Sequence, residues 1–307
     1  TRPTLAMREA MARADVGDDV YGEDPTVKQL ESRLAQAFGF EKGMFVPSGT
    51  QSNLCALLAH CQRGDEYLVG MEAHTYKYEA GGAAVLGSIQ PQPIANAEDG
   101  SLPLAALVKA VKPDDVHFAR TRLLTLENTW HGRVLDPEYV SAATSWARAQ
   151  GLATHLDGAR IFNAAVASGQ TPAALAEGFD TVSICLSKGL GAPVGSVLVG
   201  PAQVIACARR WRKMLGGGMR QSGVLAAAAL HALDHHVDRL AEDHARAARL
   251  AKGLGRARAI EVRACHTNMV FIDVPLARLD ALRRHLEAAG IRASIGYLPS
   301  VRLVTHL

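Results

Sequence analysis

Apolar positions recur along the chain in two spacings, one typical of helices and one typical of buried strands. The helical spacing is clearest after the Asp24-Pro25 pair, where the apolar positions are Val27, Leu30, Leu34 and Phe38. Short apolar runs of strand length lie between helical stretches, at 44–46, 122–127, 152–157, 181–186 and 195–200. Strands that alternate with helices predict an α/β fold around an open, mostly parallel sheet, with the run at 195–200 antiparallel.

The last third of the chain has a different pattern. Residues 224–255 predict one or two alanine-rich helices, and a strand, a helix and a further strand follow from residue 269 onward. We therefore predict an N-terminal arm and a large domain over residues 1–236, followed by a smaller α+β domain over residues 237–307. The start of the chain is polar and rich in turn residues, and residues 16–24 are expected to form an ordered loop.

One strand-like run ends in a lysine. Residues 181–186 are rich in β-forming residues, Ser187 and Lys188 follow, and Gly189 and Gly191 leave room for a ligand against the backbone. A lysine at the end of a buried strand is rare unless it is paired or reacts. Burial favours the neutral amine, which forms Schiff bases with carbonyl compounds. The alternative is a surface lysine where a strand meets a loop.

Two carboxylates occupy the same kind of position as Lys188. Glu127 and Asp157 each end a predicted strand, and Asp157 precedes Lys188 by 31 positions, the length of one strand–helix–strand unit. Ligands bind open α/β sheets outside the carboxyl ends of the strands. We therefore expect Glu127, Asp157 and Lys188 to face one pocket.

A Ser-Gly-Thr turn is the candidate phosphate site. Ser48, Gly49 and Thr50 stand between a short strand and an apolar helix, so free backbone N–H groups and the positive end of the helix dipole would face a bound anion. An ordinary helix cap explains the same pattern. The basic residues at 209–213, beside the glycine run 216–218, would either clamp a phosphate or form a solvated helix face.

Composition and charge limit the class of protein. The 307 residues are 48% hydrophobic and 21% charged, with a formal net charge of +3, which fits a globular chain and predicts no nucleic-acid partner. No apolar run reaches the length of a membrane span, so no membrane association is predicted. The five cysteines are scattered and lack zinc spacing, so we expect reduced thiols, a cytoplasmic location and no metal site. The chain starts at Thr1 and stops in a strand-like run at Leu307, so we expect the natural protein to extend at both ends.

A lysine, an acid and a phosphate site on one sheet edge together match the needs of pyridoxal 5′-phosphate. The lysine forms an imine with its aldehyde, a carboxylate keeps its ring nitrogen protonated, and a helix N-terminus holds its phosphate. His74, near Tyr76 and Tyr78, would stack on the ring or accept a proton, unless it only completes local hydrogen bonds. A nicotinamide cofactor is disfavoured because no GxGxxG motif follows an early strand.

Six segments in order carry a resemblance to one enzyme family. They are Asp18-Asp-Val-Tyr-Gly-Glu-Asp-Pro25, Pro47-Ser-Gly-Thr-Gln-Ser-Asn53, Leu126-Glu-Asn-Thr129, Asp157-Gly-Ala-Arg160, Ser187-Lys-Gly-Leu-Gly191 and Gly216-Gly-Gly-Met-Arg-Gln-Ser222. Over nearly the whole chain they resemble the low-specificity L-threonine aldolases. The resemblance implies a pyridoxal-phosphate lyase of the aspartate-aminotransferase-like fold, with a seven-stranded sheet in the large domain.

The resemblance also implies roles for individual residues. Lys188 would carry pyridoxal phosphate as a Schiff base, and Asp157 would pair with the ring nitrogen. The other residues assigned to the cofactor are Ser48, Gly49, Thr50, His74, Glu127, Arg160 and Ser187. Arg160 and Arg302 would bind the substrate carboxylate, and His74 would take the proton of the substrate β-hydroxyl, with His117 as a second candidate for that role.

A neighbouring subunit would complete the site in this family. Lys213 and Arg220 would approach the cofactor from that subunit, and Tyr21 would lie at the shared site and contact the substrate. The resemblance therefore implies a homotetramer built of dimers.

The implied reaction is the reversible retro-aldol cleavage of L-threonine, L-allo-threonine and other β-hydroxy-α-amino acids to glycine and an aldehyde. A serine-hydroxymethyltransferase-like enzyme or a β-eliminating lyase would use the same parts, and a non-catalytic cofactor-binding regulatory module is a remote alternative. Two departures from the family stand out. Trp130 occupies a position where a smaller or polar residue is expected on the aldehyde side, and a Ser-Asp pair and the final helices of the family fall outside the sequence.

Overall fold

A seven-stranded sheet forms the centre of the computed structural model, which describes residues 2–293, 295 and 300–306. Its strands are β1 (Lys42–Val46), β2 (Asp65–Gly70), β3 (Gln90–Ile94), β4 (Arg120–Glu127), β5 (Ala153–Asp157), β6 (Thr181–Cys185) and β7 (Ser196–Gly200). They lie in the order β1-β7-β6-β5-β4-β2-β3. The strands from β2 to β6 pair in parallel, and β7 is antiparallel to both of its neighbours. The predicted mostly parallel α/β sheet, with its antiparallel strand at 195–200, is confirmed.

Helices cover the sheet and connect its strands. They are α1 (Leu5–Ala12), α2 (Pro25–Phe38), α3 (Gly49–His60), α4 (His74–Lys77), α5 (Gly82–Gly87), α6 (Leu104–Ala110), α7 (Pro137–Ala149), α8 (Ile161–Ser168), α9 (Pro172–Ala176), α10 (Ala202–Met214), α11 (Gly223–His235), α12 (Leu240–Leu254) and α13 (Leu276–Ala288). Within the described part of the chain, none of them combines the length and the apolar character needed to cross a membrane.

The predicted helix after Asp24 forms for the expected reasons. Asp24 Oδ1 accepts a hydrogen bond from Val27 N at 3.0 Å, Pro25 takes the first helical position, and Gly39 ends α2 in the left-handed conformation. The turn-rich start of the chain, by contrast, contains a helix that its composition did not indicate. In α1 the Thr4 side chain caps the first turn, and Met7 is fully buried. This short helix is therefore held by one cap and one buried side chain.

The strands that carry the site are buried along their length. Every residue of β6 is buried, as are four of the five residues of β5. Continuous apolar runs are typical of parallel strands with both faces covered, which is why these elements were visible in the sequence. Their burial fixes the carboxyl ends of β4, β5 and β6 against one another.

A second, smaller sheet follows the alanine-rich helices. Its strands β8 (Glu261–His266), β9 (Met269–Asp273) and β10 (Ser300–Val304) are antiparallel in the order β10-β9-β8. Val270, Ile272 and Val301 of this sheet pack with Ala247 of α12 in an apolar cluster. The predicted α+β character of this region is confirmed. The proposed domain boundary at 236/237 falls in the turn between α11 and α12, and the division itself stays a prediction.

The outer strand β3 has an unusual composition. Among the strands of the described residues it pairs only with β2, and its five residues include Pro91 and Pro93. Prolines have no N–H group, so they are tolerated in a sheet where the nitrogen faces away from the neighbouring strand.

Candidate active site

The carboxyl ends of three neighbouring strands bring the predicted residues together. Glu127 ends β4 and Asp157 ends β5, and the two residues are paired in register. Lys188 follows the end of β6 by three residues. Two adjoining cavities, of about 500 and about 160 Å³, lie at this sheet edge. Lys188, His74 and Ala159 line both of them. The expected pocket at this sheet edge is therefore present.

The smaller cavity lies at the N-terminus of α3. Ser48 caps this helix, and its Oγ accepts a hydrogen bond from Gln51 N at 3.2 Å. The N–H groups of Gly49 and Thr50 belong to the first helical turn, where no intrahelical acceptor exists, and both residues line the cavity together with Ser187. A Cβ at Gly49 would lie 2.6 Å from Cys185 Sγ. The turn is therefore packed so closely against Cys185 that only glycine fits at this position.

Asp157 is held by two hydrogen bonds at the floor of this cavity. Its Oδ1 accepts a bond from Ala159 N at 3.0 Å, and its Oδ2 accepts one from Asn53 Nδ2 at 2.8 Å. Asn53 also donates from Nδ2 to Glu79 Oε1, at 2.9 Å. Both Asn53 and Glu79 are buried, and sequence reasoning missed them as site residues. The position of Asn53 one helical turn after the Ser-Gly-Thr motif was the available signal.

His74 is fixed at both its backbone and its ring. Its N–H donates to Glu127 Oε2 at 2.9 Å, and its Nδ1 lies 2.8 Å from Glu79 Oε1. The hydrogen bond to Glu79 raises the pKa of His74, and burial raises the pKa of Glu79. Burial and the nearby charge of Asp157 raise the pKa of Glu127 to about 8. Burial and hydrogen bonding therefore shift the pKa values of all three groups upward.

Ligand atoms of His74, Glu79 and Asp157 all lie within 4.8 Å of one another. A cation could bridge such a set, but its members are already joined by hydrogen bonds through Asn53 and between His74 and Glu79. The expectation that no metal binds stays a prediction.

The larger cavity is basic on one side and aromatic on another. Arg160 and Arg302 line it, and burial together with the charge of Arg302 lowers the pKa of Arg160 to about 10. Two guanidinium groups in one cavity favour an anionic ligand. Arg302 comes from β10, so the small sheet supplies part of the site.

His131 also lines the larger cavity and was missed in the sequence. The centre of its ring lies 4.5 Å from the ring centre of Trp130 and 5.6 Å from that of Phe271, and both pairs are packed edge to face. Burial lowers the pKa of His131. Trp130 itself packs over Gly100, where an added Cβ would lie 2.7 Å from its Cε3. Trp130, which departs from the family pattern, therefore packs against His131, and His131 in turn lines the larger cavity.

Four predicted residues are not brought to the cavities of the same chain. His117 is exposed, pairs with Asp115, and stands just before β4, at the opposite end of that strand from Glu127. Tyr21, Lys213 and Arg220 are also exposed. None of these four residues lines either cavity within the described ranges, and their roles stay predictions.

Comparisons with known proteins agree on one family. The model of the beta-eliminating lyase family matches residues 1–277. A low-specificity L-threonine aldolase of Escherichia coli (strain K12) is 55% identical over 307 residues, which cover 100% of this chain and 91% of that protein. Low-specificity L-threonine aldolase 1 of Arabidopsis thaliana is 45% identical over 317 residues, covering 100% of this chain and 88% of that protein.

Among solved structures, the threonine aldolase of Leishmania major superposes with a TM-score of 0.84 at 19% identity, covering 100% of this chain and 92% of that one. At this identity the superposition speaks for the fold, while the sequence matches speak for the family. The chain belongs to the beta-eliminating lyase family and, within it, to the low-specificity L-threonine aldolases.

Proposed function

We propose that the protein cleaves L-threonine, L-allo-threonine and related β-hydroxy-α-amino acids to glycine and an aldehyde. The reaction is the one for which its relatives in bacteria, plants and yeast are named. The observation that carries the proposal is the position of Lys188, which lies between an anion site at the start of α3 and a cavity lined by two arginines.

The side chains around Lys188 fit pyridoxal 5′-phosphate. Lys188 would hold its aldehyde, Asp157 would face its ring nitrogen, and the first turn of α3 would hold its phosphate at Gly49 and Thr50. The backbone N–H groups of this turn have no intrahelical acceptor, which supports binding of the phosphate there. When bound, the cofactor supplies an electron sink for the bond that is broken. Glu127 would stay protonated beside Asp157, which limits the negative charge at the ring.

Arg160 and Arg302 would bind the carboxylate of the amino acid. Because Arg160 stands between β5 and α8 while Arg302 lies on β10 of the small sheet, the substrate would be held from two sides. Such a grip would fix rotation about the bond from the nitrogen to Cα, and so would decide which bond to Cα is presented to the electron sink that the cofactor would supply. Orientation therefore selects which bond breaks.

His74 would accept the proton of the β-hydroxyl. The hydrogen bond between its Nδ1 and Glu79 directs the second ring nitrogen, Nε2, to serve as the acceptor. Because Nδ1 would donate its hydrogen to the Glu79 carboxylate, Nε2 could take a second proton, and the imidazolium would then be paired with this buried carboxylate. His74 thereby combines the stacking and acid–base roles predicted from the sequence.

The proposed assembly is a homotetramer built of dimers, in which Tyr21, Lys213 and Arg220 reach the site of a neighbouring subunit. The exposed Arg220 guanidinium lies 2.6 Å from Asp18 Oδ2 and 5.9 Å from the centre of the Tyr21 ring. These contacts order a polar surface that supports such a role. We further propose a cytoplasmic location, because the five cysteines are free.

Replacing Lys188 with alanine tests the proposal. Purified wild-type protein given pyridoxal phosphate and L-threonine should release glycine and acetaldehyde, and Lys188→Ala should abolish both the products and the visible absorbance of the lysine-bound cofactor. Lys252→Ala, on an exposed face of α12, is the matched control and should keep both. Turnover and absorbance retained by Lys188→Ala would contradict the assignment. Release of ammonia in place of glycine would identify a β-eliminating enzyme.

A further inference from the structure

Behind Asp157, buried side chains form a continuous series of hydrogen bonds that reaches His60 at the far end of α3. Asn53 Oδ1 lies 3.1 Å from His155 Nε2, His155 Nδ1 lies 2.9 Å from Thr181 Oγ1, and Thr181 Oγ1 lies 2.9 Å from His60 Nε2. Asn53, His155 and Thr181 are each at most 1% exposed. We call Asn53, His155, Thr181 and His60 the buried relay. It joins α3, β5 and β6 to the carboxylate at the floor of the site.

The donors of the buried relay all point toward Asp157. Asn53 uses both amide hydrogens, on Asp157 and Glu79, so its carbonyl oxygen must accept a hydrogen from His155 Nε2. Burial lowers the pKa of His155 to about 3, so the ring is neutral and its Nδ1 is an acceptor. The Thr181 hydroxyl fills that acceptor, and its own oxygen accepts from His60 Nε2. With the donors in this order, each hydrogen bond of the buried relay joins one donor to one acceptor.

The opposite arrangement is unfavourable. If the Asn53 amide were flipped, its oxygen would face the carboxyl groups of Asp157 and Glu79, and its NH₂ group would face His155. Oδ1 of Asp157 would keep its bond from Ala159 N, but Oδ2 would have to carry a proton to keep a hydrogen bond with Asn53. An ionised Asp157 is what a protonated ring nitrogen requires, so the orientation of this one amide determines how well the carboxylate serves the cofactor.

We propose that the buried relay is a positioning device for Asp157. Through His155 and Thr181 it locks the Asn53 amide with its NH₂ group toward the carboxylate, and so holds Asp157 as a hydrogen-bond acceptor in the position that faces the cofactor's ring nitrogen. The proposal rests on the proposed function, since it assumes pyridoxal phosphate in the site. It assigns a role to His155, Thr181 and His60, none of which touches the cavities around Lys188 among the described residues.

The test compares two ligands that differ at the ring nitrogen. One is pyridoxal 5′-phosphate, and the other is its 1-deaza analogue, in which a C–H group replaces that nitrogen. The wild-type protein should bind pyridoxal phosphate more tightly. Thr181→Val, which removes the hydroxyl and keeps the shape, and His155→Phe should each reduce that preference at least fivefold. Thr125→Val is the matched control: its hydroxyl donates to Leu68 O at 3.1 Å, on the same sheet but outside the buried relay, and the preference should persist.

The outcomes separate the two proposals. Equal affinity of the wild-type protein for both ligands would overturn the pairing of Asp157 with the ring nitrogen. A clear preference that Thr181→Val and His155→Phe both retain would overturn the role of the buried relay alone. A further measurement needs no variant: neutron diffraction from crystals of the unaltered protein should place a hydrogen on His155 Nε2 and none on Nδ1, and the reverse would rule out the proposed direction.

Discussion

Three carboxyl groups meet at the candidate site: Glu79 and Glu127 both bond to His74, and Asp157 lines the smaller cavity with Lys188. Their environments separate their roles. Asp157 receives two hydrogen bonds, whereas Glu79 and Glu127 have raised pKa values because of burial. Titratable groups that lie in one pocket but have surroundings that act differently on their charge are typical of acid–base sites. At the scale of the residue, protonation is therefore set by the fold before any substrate arrives.

Glu127 makes a pH dependence of stability testable. The folded protein holds a proton on this group to about pH 8, whereas its ordinary pKa is 4.5, so its contribution is most favourable at low pH and is lost as the pH rises through this window. Between pH 5 and pH 8, the cofactor-free wild type should lose at least about 1.4 kcal/mol of unfolding free energy relative to Glu127→Gln, the equivalent of one pKa unit.

Urea unfolding at several pH values measures this difference. Glu261→Gln, at an exposed position of β8, should follow the wild-type pH dependence. A constant difference between wild type and Glu127→Gln across the window would show that Glu127 titrates as it does in the unfolded chain.

At the scale of the element, the first turn of α3 is shaped by the strand beneath it. Cys185, the last residue of β6, lies under Gly49 so closely that no side chain fits between them. The same helix carries Asn53 one turn later, so one element presents both the anion site and the amide that holds Asp157. Both the anion site and the position of the Asn53 amide therefore depend on the packing of α3 against β6.

A paired substitution tests this packing. Gly49→Ala should weaken binding of pyridoxal phosphate roughly tenfold, about 1.4 kcal/mol, because the added Cβ and Cys185 Sγ cannot both keep their positions. Cys185→Ala in the same chain removes the sulfur and should restore most of the affinity, while Cys185→Ala alone should bind nearly as well as the wild type. Cofactor titration followed by fluorescence gives the three dissociation constants. A double variant as weak as Gly49→Ala would place the cause elsewhere.

At the scale of the whole molecule, one chain supplies only part of the predicted site. The two sheets meet across the larger cavity through Arg160 and Arg302, whereas Tyr21, Lys213 and Arg220 lie on the exposed surface. If that surface belongs to a neighbour's site, as proposed, then two inactive variants, one changed in the cavities and one changed on this surface, can form one intact site when they share an oligomer.

Mixed oligomers test the shared site. Lys188→Ala and Arg220→Ala should each be strongly impaired alone, but co-refolded mixtures should recover about one quarter of wild-type activity, because half of the dimers are hybrids and each hybrid has one intact site. Lys188→Ala mixed with Asp157→Asn is the control: both residues belong to one chain's site, so no intact site can form. Hybrids without recovered activity would remove Arg220 from the neighbour's site.

Sequence reasoning reached the fold and the central residues because each leaves a local pattern. Buried parallel strands are continuous apolar runs, and the residues at their carboxyl ends, such as Glu127, Asp157 and Lys188, converge by topology. Glu79 and His131 left no such pattern, and Asn53 left only its position one turn after the Ser-Gly-Thr motif, since their roles arise from contacts between segments far apart in the chain. Helix α1 was missed because a single buried methionine gives no periodicity.

The two prolines of β3 restrict how copies of the protein can associate. With no N–H group at Pro91 or Pro93, the free side of this strand presents carbonyl oxygens without the alternating donors that an incoming strand would need. Continuation of the sheet from one molecule into the next is therefore blocked at this margin, and so is the open-ended stacking that leads to fibres.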